Sequence, residues 1–189
     1  MMPQVEREGP IAKLLRMYRE DPDAGIHGAA EWLLRRWGQQ KELAKIDAPL
    51  MTGKVEGQRQ WYLTGQGQTM VVIPGPVEFL MGSPPTEKDR EPKEAQHRRT
   101  IKHGFAISAK KVTVEQFRRI CEEPDHSEMP YCPEPDCPII AVTWYEAASY
   151  CNWLSEHEGI PEDQWCYEPN DEGEYAEGMT IRSRYLDLS

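Results

Sequence analysis

Phenylalanine is nearly missing from this chain, with 3 residues in 189. No apolar run approaches the roughly 20 residues that a membrane-crossing helix needs. The amino terminus, MMPQVEREGPIAKLL, lacks the apolar stretch of a secretory leader, so a soluble, cytoplasmic chain without a membrane partner is expected. Basic residues are in the minority: 22 Lys and Arg stand against 32 Asp and Glu, a formal net charge of −10. That balance excludes a general phosphate-neutralising surface, and with it nucleic acid as a partner. Cysteine is sparse and odd in number, 5 in all, with no CxxC pair. This argues against a closed disulfide framework and against a ribbon-type zinc site. Cys132 and Cys137, in YCPEPDCP, are read as ordinary thiols, because unpaired cysteine mostly behaves as a small hydrophobe.

The 189 residues, 39% of them hydrophobic, suffice for one medium core with a small appendage. Residues 9–38 have helical periodicity. Ile11, Leu14, Leu15 and Tyr18 form one stripe, and Ile26, Ala29, Ala30, Leu33, Leu34 and Trp37 form another. The turn EDPDAG separates them and Gly38 fits a helix C-cap, which predicts an αα-hairpin. The segment DPDAGIHGAAEWLLRRWG resembles a single HEAT-type repeat, a unit that must dock on something to bury its face. His27 and Glu31 lie four apart on its second helix, but no further ligands stand nearby, so a packing or solvated role is expected rather than a metal. Residues 39–60 lose the periodicity and read as a linker.

Strand character follows at WYLT (61–64), MVVIPG (70–75), VEFLMGS (77–83) and residues 100–113, with 84–99 taken as an exposed loop. Val112-Thr113 and Val142-Thr143 each run into a helix, expected near 114–122 and 144–156. Gln116 and Glu146 stand at the third helical position, where a capping box needs them. Trp144, Ala147, Ala148, Cys151 and Leu154 share a stripe on the second of these helices, so Trp144, Tyr150, Cys151 and Trp153 are expected to be structural. Trp144 and Cys151 are expected among the more buried. The tail is acidic, from Glu158 through Glu162, Asp163, Glu168, Asp171, Glu172 and Glu174 to Glu177, and reads as a solvated face. Its PNDEGEYAEG does not have the spacing of an EF-hand loop.

Three blocks, MVVIPGPVEFLMGS, EPKEAQHRRTIKHGFAISAKKVTVEQF and CPIIAVTWYEAASYCNWLSE, in this order and spacing, resemble the opening half of a formylglycine-generating enzyme (sulfatase-modifying factor) domain. The resemblance covers residues 69–189 and implies an α+β fold related to C-type lectins. The division is then a HEAT-like helical hairpin over 1–50, a linker over 51–68 and a truncated family domain over 69–189. The family's best-known members oxidise a sulfatase cysteine to formylglycine with molecular oxygen and copper held by two cysteines. A second branch, the sulfoxide synthases, adds a helical module with a His-rich iron motif, for which this N-terminus offers only His27. Other members are binding modules. In the family a Gly-x-Arg-Leu-Pro-Thr-Glu block and a long second half follow, and this chain stops at Ser189, where that block would begin. None of Cys121, Cys132, Cys137, Cys151 and Cys166 matches the catalytic pair, so no catalytic, cofactor-binding or metal residue and no copper are carried over. The expectation is a protein inactive alone, partnered by the missing half or by another protein. The alternative is a non-catalytic lectin-like module on a helical adaptor.

Overall fold

The computed structural model describes residues 8–120 and 134–182. It opens with helices α1 (Glu8–Glu20), α2 (Ala24–Arg36) and α3 (Gln40–Leu50). The first two form the expected hairpin. Asp23 starts α2, its carboxylate accepting the Ile26 N–H at 2.9 Å, and Gly38, with φ of 76°, lets the chain leave it. Tyr18, Ala30, Leu34 and Leu43 form a buried cluster, with Ile11, Leu14, Leu15 and Ile46 packed around it.

Leu43 and Ile46 belong to α3, so the first part of the segment read as a linker is a third helix. Its weak periodicity hid it, and Pro49 lies within its last turn. A proline there disguises a helix that needs only two apolar residues to join the cluster.

Strands β1 (Trp61–Leu63), β2 (Thr69–Ile73) and β5 (Phe105–Ser108) make an antiparallel sheet in the order β1-β2-β5. Strands β3 (Val77–Met81) and β4 (His97–Ile101) form a separate antiparallel pair. The two pairings share one register. Ile73 faces Phe105 and Val77 faces Ile101, so β2-β3 and β4-β5 are the two arms of one long ribbon, bent in the middle. At the bend Gly75 crosses the opposite arm so closely that a Cβ would lie 2.1 Å from the His103 carbonyl carbon, and only glycine fits. The strand expected as continuous over 100–113 is therefore broken at 102–104. The exposed loop ends earlier than expected, because His97 to Arg99 are already paired in β4.

Both capping boxes are formed. Thr113 opens the short helix α4 (Val114–Phe117), its hydroxyl accepting from the Gln116 N–H at 3.2 Å while the Gln116 side chain accepts from the Thr113 N–H at 3.0 Å. Thr143 and Glu146 do the same for α5 (Trp144–His157) at 3.2 and 2.7 Å. A last antiparallel pair, β6 (Tyr167–Glu168) and β7 (Thr180–Ile181), lies beside α5.

Burial along α5 corrects the stripe assignment. Ala148, Tyr150 and Asn152 are buried, whereas Trp144 is 50% exposed and Cys151 is exposed. The small Ala148 lets α5 approach the body closely, and Tyr150 stacks on Phe117 at 5.6 Å between ring centres. Trp144 sits in the first turn, where, among the described residues, the rings of Tyr145 and Tyr167 meet it edge-on.

Candidate functional site

The helices and the sheet meet at a seam. The end of α1 leaves carbonyls without helical partners, and residues just before and within β1 satisfy them or their neighbours in the turn. Arg59 Nη2 donates to the Arg19 carbonyl at 2.8 Å, the Gln60 N–H to Pro22 at 2.8 Å, and the Trp61 indole N–H to Asp21 at 2.9 Å. His27, wholly buried, is stacked between Tyr18 at 4.3 Å and Trp61 at 3.6 Å. Its Nδ1 lies 2.7 Å from the Tyr18 carbonyl and therefore carries the proton, which leaves Nε2 to accept from the Thr69 hydroxyl at 3.4 Å. Burial holds the His27 pKa below its ordinary value, and a neutral ring fits this hydrogen-bond pattern.

Glu31, on the same helix, ties the seam to the loop after β5. Its carboxylate accepts from Arg35 Nε at 2.7 Å and Lys110 Nζ at 2.6 Å. Burial alone would raise its pKa, but Lys110 and then Arg35 hold it below the ordinary value. Tyr18 donates a short hydrogen bond to Asp47 on α3. Burial and that bond push the Tyr18 phenol far up, and burial also raises Asp47. His27 and Glu31 thus do not converge on a metal: the one is stacked between rings, the other ion-paired. Among the described residues no three His, Cys, Asp or Glu side chains gather as a metal site.

A second set of contacts fixes α5 and builds a cleft. Gln68, in the turn between β1 and β2, donates from Nε2 to the Tyr150 hydroxyl at 2.7 Å, and Glu158 accepts the Gly65 N–H at 3.0 Å. Burial pushes the Tyr150 phenol up to about 12, so it stays protonated. Buried Asn152 donates to the Tyr167 carbonyl at 2.8 Å and to the Tyr175 hydroxyl at 2.7 Å, and so holds Tyr175 over the helix. Between α4, α5 and Tyr175 opens a cleft of about 310 Å³, lined by Phe117, Ile120, Tyr145, Glu146, Ser149 and Tyr175. A mostly apolar, aromatic wall with a few polar groups is the usual character of a small-ligand or side-chain site.

The cleft was not legible in the sequence, because its walls come from three distant segments and Tyr175 is held there by a hydrogen bond from Asn152. The one signal was the run of aromatics after Thr143, which pointed to core packing instead.

The cysteines divide. Cys137 is disulfide-bonded, which overturns its reading as an ordinary thiol. Cys121 and Cys132 lie outside the described residues. Cys151 and Cys166 are free and exposed. A copper site of the kind implied by the resemblance needs two thiolates brought together. Of the described cysteines, Cys137 is already committed to a disulfide, and burial and then the charge of Cys166 raise the pKa of Cys151.

The chain matches the model of the sulfatase-modifying factor enzyme 1-like domain over residues 59–185. No curated protein matches it. Among solved structures, PvdO from Pseudomonas aeruginosa is similar, at 25% identity and a TM-score of 0.44, over 52% of this chain and 44% of that one. The chain therefore spans less than half the length of that protein. The match starts at residue 59, ten residues before the start expected from the sequence blocks, and so includes β1 and its Trp61. With the family pattern running from Arg59 at the seam past β7, this chain belongs to the sulfatase-modifying factor enzyme 1-like family.

Proposed function

We propose that the chain is a binding module of this family, which takes an aromatic or apolar side chain of a protein partner into the cleft between α4 and α5 and performs no cysteine oxidation by itself. The observation that carries the reading is the cleft itself: Phe117, Tyr145 and Tyr175 form its walls, with Ser149 and Glu146 at its polar edge. Further support comes from exposed apolar residues beside and beyond it. Trp144 is 50% exposed, and Leu80 and Met81 on the outer ribbon are 56% and 51% exposed. Disulfide bonding of Cys137 favours an oxidising compartment over the cytoplasm expected from the sequence.

The test has two arms. Titration of the labelled protein with N-acetyl-tryptophanamide should shift the amide signals of Phe117, Tyr145 and Ser149, and Ser149→Trp, which fills the cleft, should abolish the shifts. Incubation with a sulfatase-type cysteine peptide, oxygen and copper(I) should yield no aldehyde detectable with a hydrazide probe. An unshifted spectrum removes the cleft as the binding site, and aldehyde formation would show that the chain is an oxidase.

A further inference from the structure

A second cavity, of about 580 Å³, opens where α2 faces α4, and it shares none of its described lining residues with the α4–α5 cleft. Its size falls within the roughly 300–1,000 Å³ of small-ligand sites. Its charges are sorted by side. Trp32, Arg35 and Arg36 come from α2, and Lys110 joins them from the loop after β5. Glu115 comes from α4, and Asp136 from a segment docked on that helix's first turn, where the Val114 and Glu115 N–H groups donate to the Cys137 and Pro135 carbonyls at 2.8 and 2.9 Å.

On the cationic side, buried Glu31 holds Arg35 and Lys110 next to each other through its two oxygens, at 2.7 and 2.6 Å. Each spends one N–H there and keeps others for a ligand. Arg36 lies over the Trp32 ring, 5.4 Å from its centre, and Trp32 is still 59% exposed. Among the described residues, Arg36, Glu115 and Asp136 make no ion pair, although opposite charges line the same cavity. Three cations thus stand against Glu31, Glu115 and Asp136, and the site is neutral in sum but polar across its width. A simple anion meets Glu115 and Asp136, and a simple cation meets the guanidinium groups. A ligand with both charges, held apart, meets neither repulsion.

We propose that this cavity binds a short peptide with free termini and an aromatic last residue. The C-terminal carboxylate accepts from Arg35, Arg36 and Lys110, the last side chain lies on Trp32 beside them, and the N-terminal ammonium donates to Glu115 and Asp136. A short peptide separates its two charges along its length as the cavity does, whereas a single amino acid carries both on one carbon. Trp32, Arg35 and Arg36 precede the family match and Glu115 and Asp136 lie within it, so the site exists only with the helices docked.

The experiment titrates the full chain with the dipeptide Gly-Phe at low salt, where exposed charges are least screened, and follows the backbone amide signals. Saturable shifts are expected at Trp32, Arg36 and Glu115. N-acetyl-Gly-Phe lacks the ammonium and Gly-Phe-amide the carboxylate, and each should bind roughly threefold or more weakly. Glu115→Gln combined with Asp136→Asn should weaken Gly-Phe by a similar factor and leave N-acetyl-Gly-Phe unchanged, while Arg36→Gln should weaken both. Capped peptides that bind as well as Gly-Phe, shifts confined to Tyr145 and Ser149 in the other cleft, or no saturable shift would each overturn the proposal.

Discussion

Replacing His27 by alanine should strongly destabilise this protein. The ring is wholly buried and stacked on both faces, by Tyr18 at 4.3 Å and by Trp61 at 3.6 Å. Each stack is worth about 0.5–1.5 kcal/mol beyond burial. Its Nδ1 proton satisfies the Tyr18 carbonyl at 2.7 Å, and leaving that group buried and unpaired costs about 1–3 kcal/mol. The cavity left between two fixed rings adds to this, so the whole change falls at about 3–5 kcal/mol, the range of buried aromatic truncations. These contributions overlap and are not summed. Against a total domain stability of about 5–15 kcal/mol, such a loss removes a large part of the reserve. His27→Phe keeps the stacks and most of the volume but drops the hydrogen bonds, so it should cost less, about 1–3 kcal/mol.

Urea unfolding followed by far-ultraviolet circular dichroism reports the helices, and tryptophan fluorescence reports the 6 tryptophans, which lie in both the helical and the sheet parts. In the wild type the two curves should coincide, because the seam joins both, and His27→Ala should move both midpoints down. An alanine variant within about 1 kcal/mol of wild type, or wild-type circular dichroism and fluorescence curves that separate, would refute the argument that His27 joins the two parts. The same residue gives the protein a pH signature. Burial lowers its folded pKa, while Glu31 nearby acts to raise it and Lys110 and Arg59 to lower it. The unfolded chain takes up a proton near 6.5 that the folded chain refuses, so stability is present above pH 6.5 and is lost as pH falls from there through the lower folded pKa. His27→Phe should flatten that decline, and a decline of the same slope in the variant would assign it to another group.

Glu31→Gln should destabilise by about 1–2 kcal/mol, less than a fully buried ion pair, because Lys110 and Arg35 are each about half exposed and regain water when released. Its thermal melt should also lose the part of the acid-side decline that Glu31 supplies below its ordinary value of 4.5, because its folded pKa is depressed and its stabilisation is lost as pH falls through it. Trp144→Ala should cost about 1 kcal/mol, well short of a buried tryptophan, since half of the ring faces solvent and its contacts are two aromatic edges. A loss of several kcal/mol by urea titration would restore Trp144 to the core.

How much of this was legible in the sequence depends on how local each signal is. A capping box involves residues three apart and a hairpin turn a handful, and both helix starts and the turn at Asp23 formed where the sequence placed them. The burial of α5 was not local. Its stripe pointed Trp144 and Cys151 inward, but the helix turns its Ala148, Tyr150 and Asn152 side to the body, because Gln68 and Tyr175, far away in the chain, supply hydrogen-bond partners there. A buried asparagine is invisible to a hydrophobic pattern for the same reason.

The most instructive departure is the stretch 51–68, read as a linker between two units. A linker is where few contacts cross, yet Trp61 is 1% exposed, Leu63 is 3% exposed, and Arg59, Gln60 and Trp61 hold the end of the helical hairpin through three hydrogen bonds. Glycine and charge in that stretch carried the opposite message, because the chain must turn at Gly53 and Gly57, both with positive φ, to bring β1 against α1. The family pattern begins at residue 59, and its first residues are the ones that satisfy the carbonyls of the hairpin. The three helices are therefore packed into this domain through its first strand, and a boundary drawn from composition alone would cut through one of its best-buried contacts.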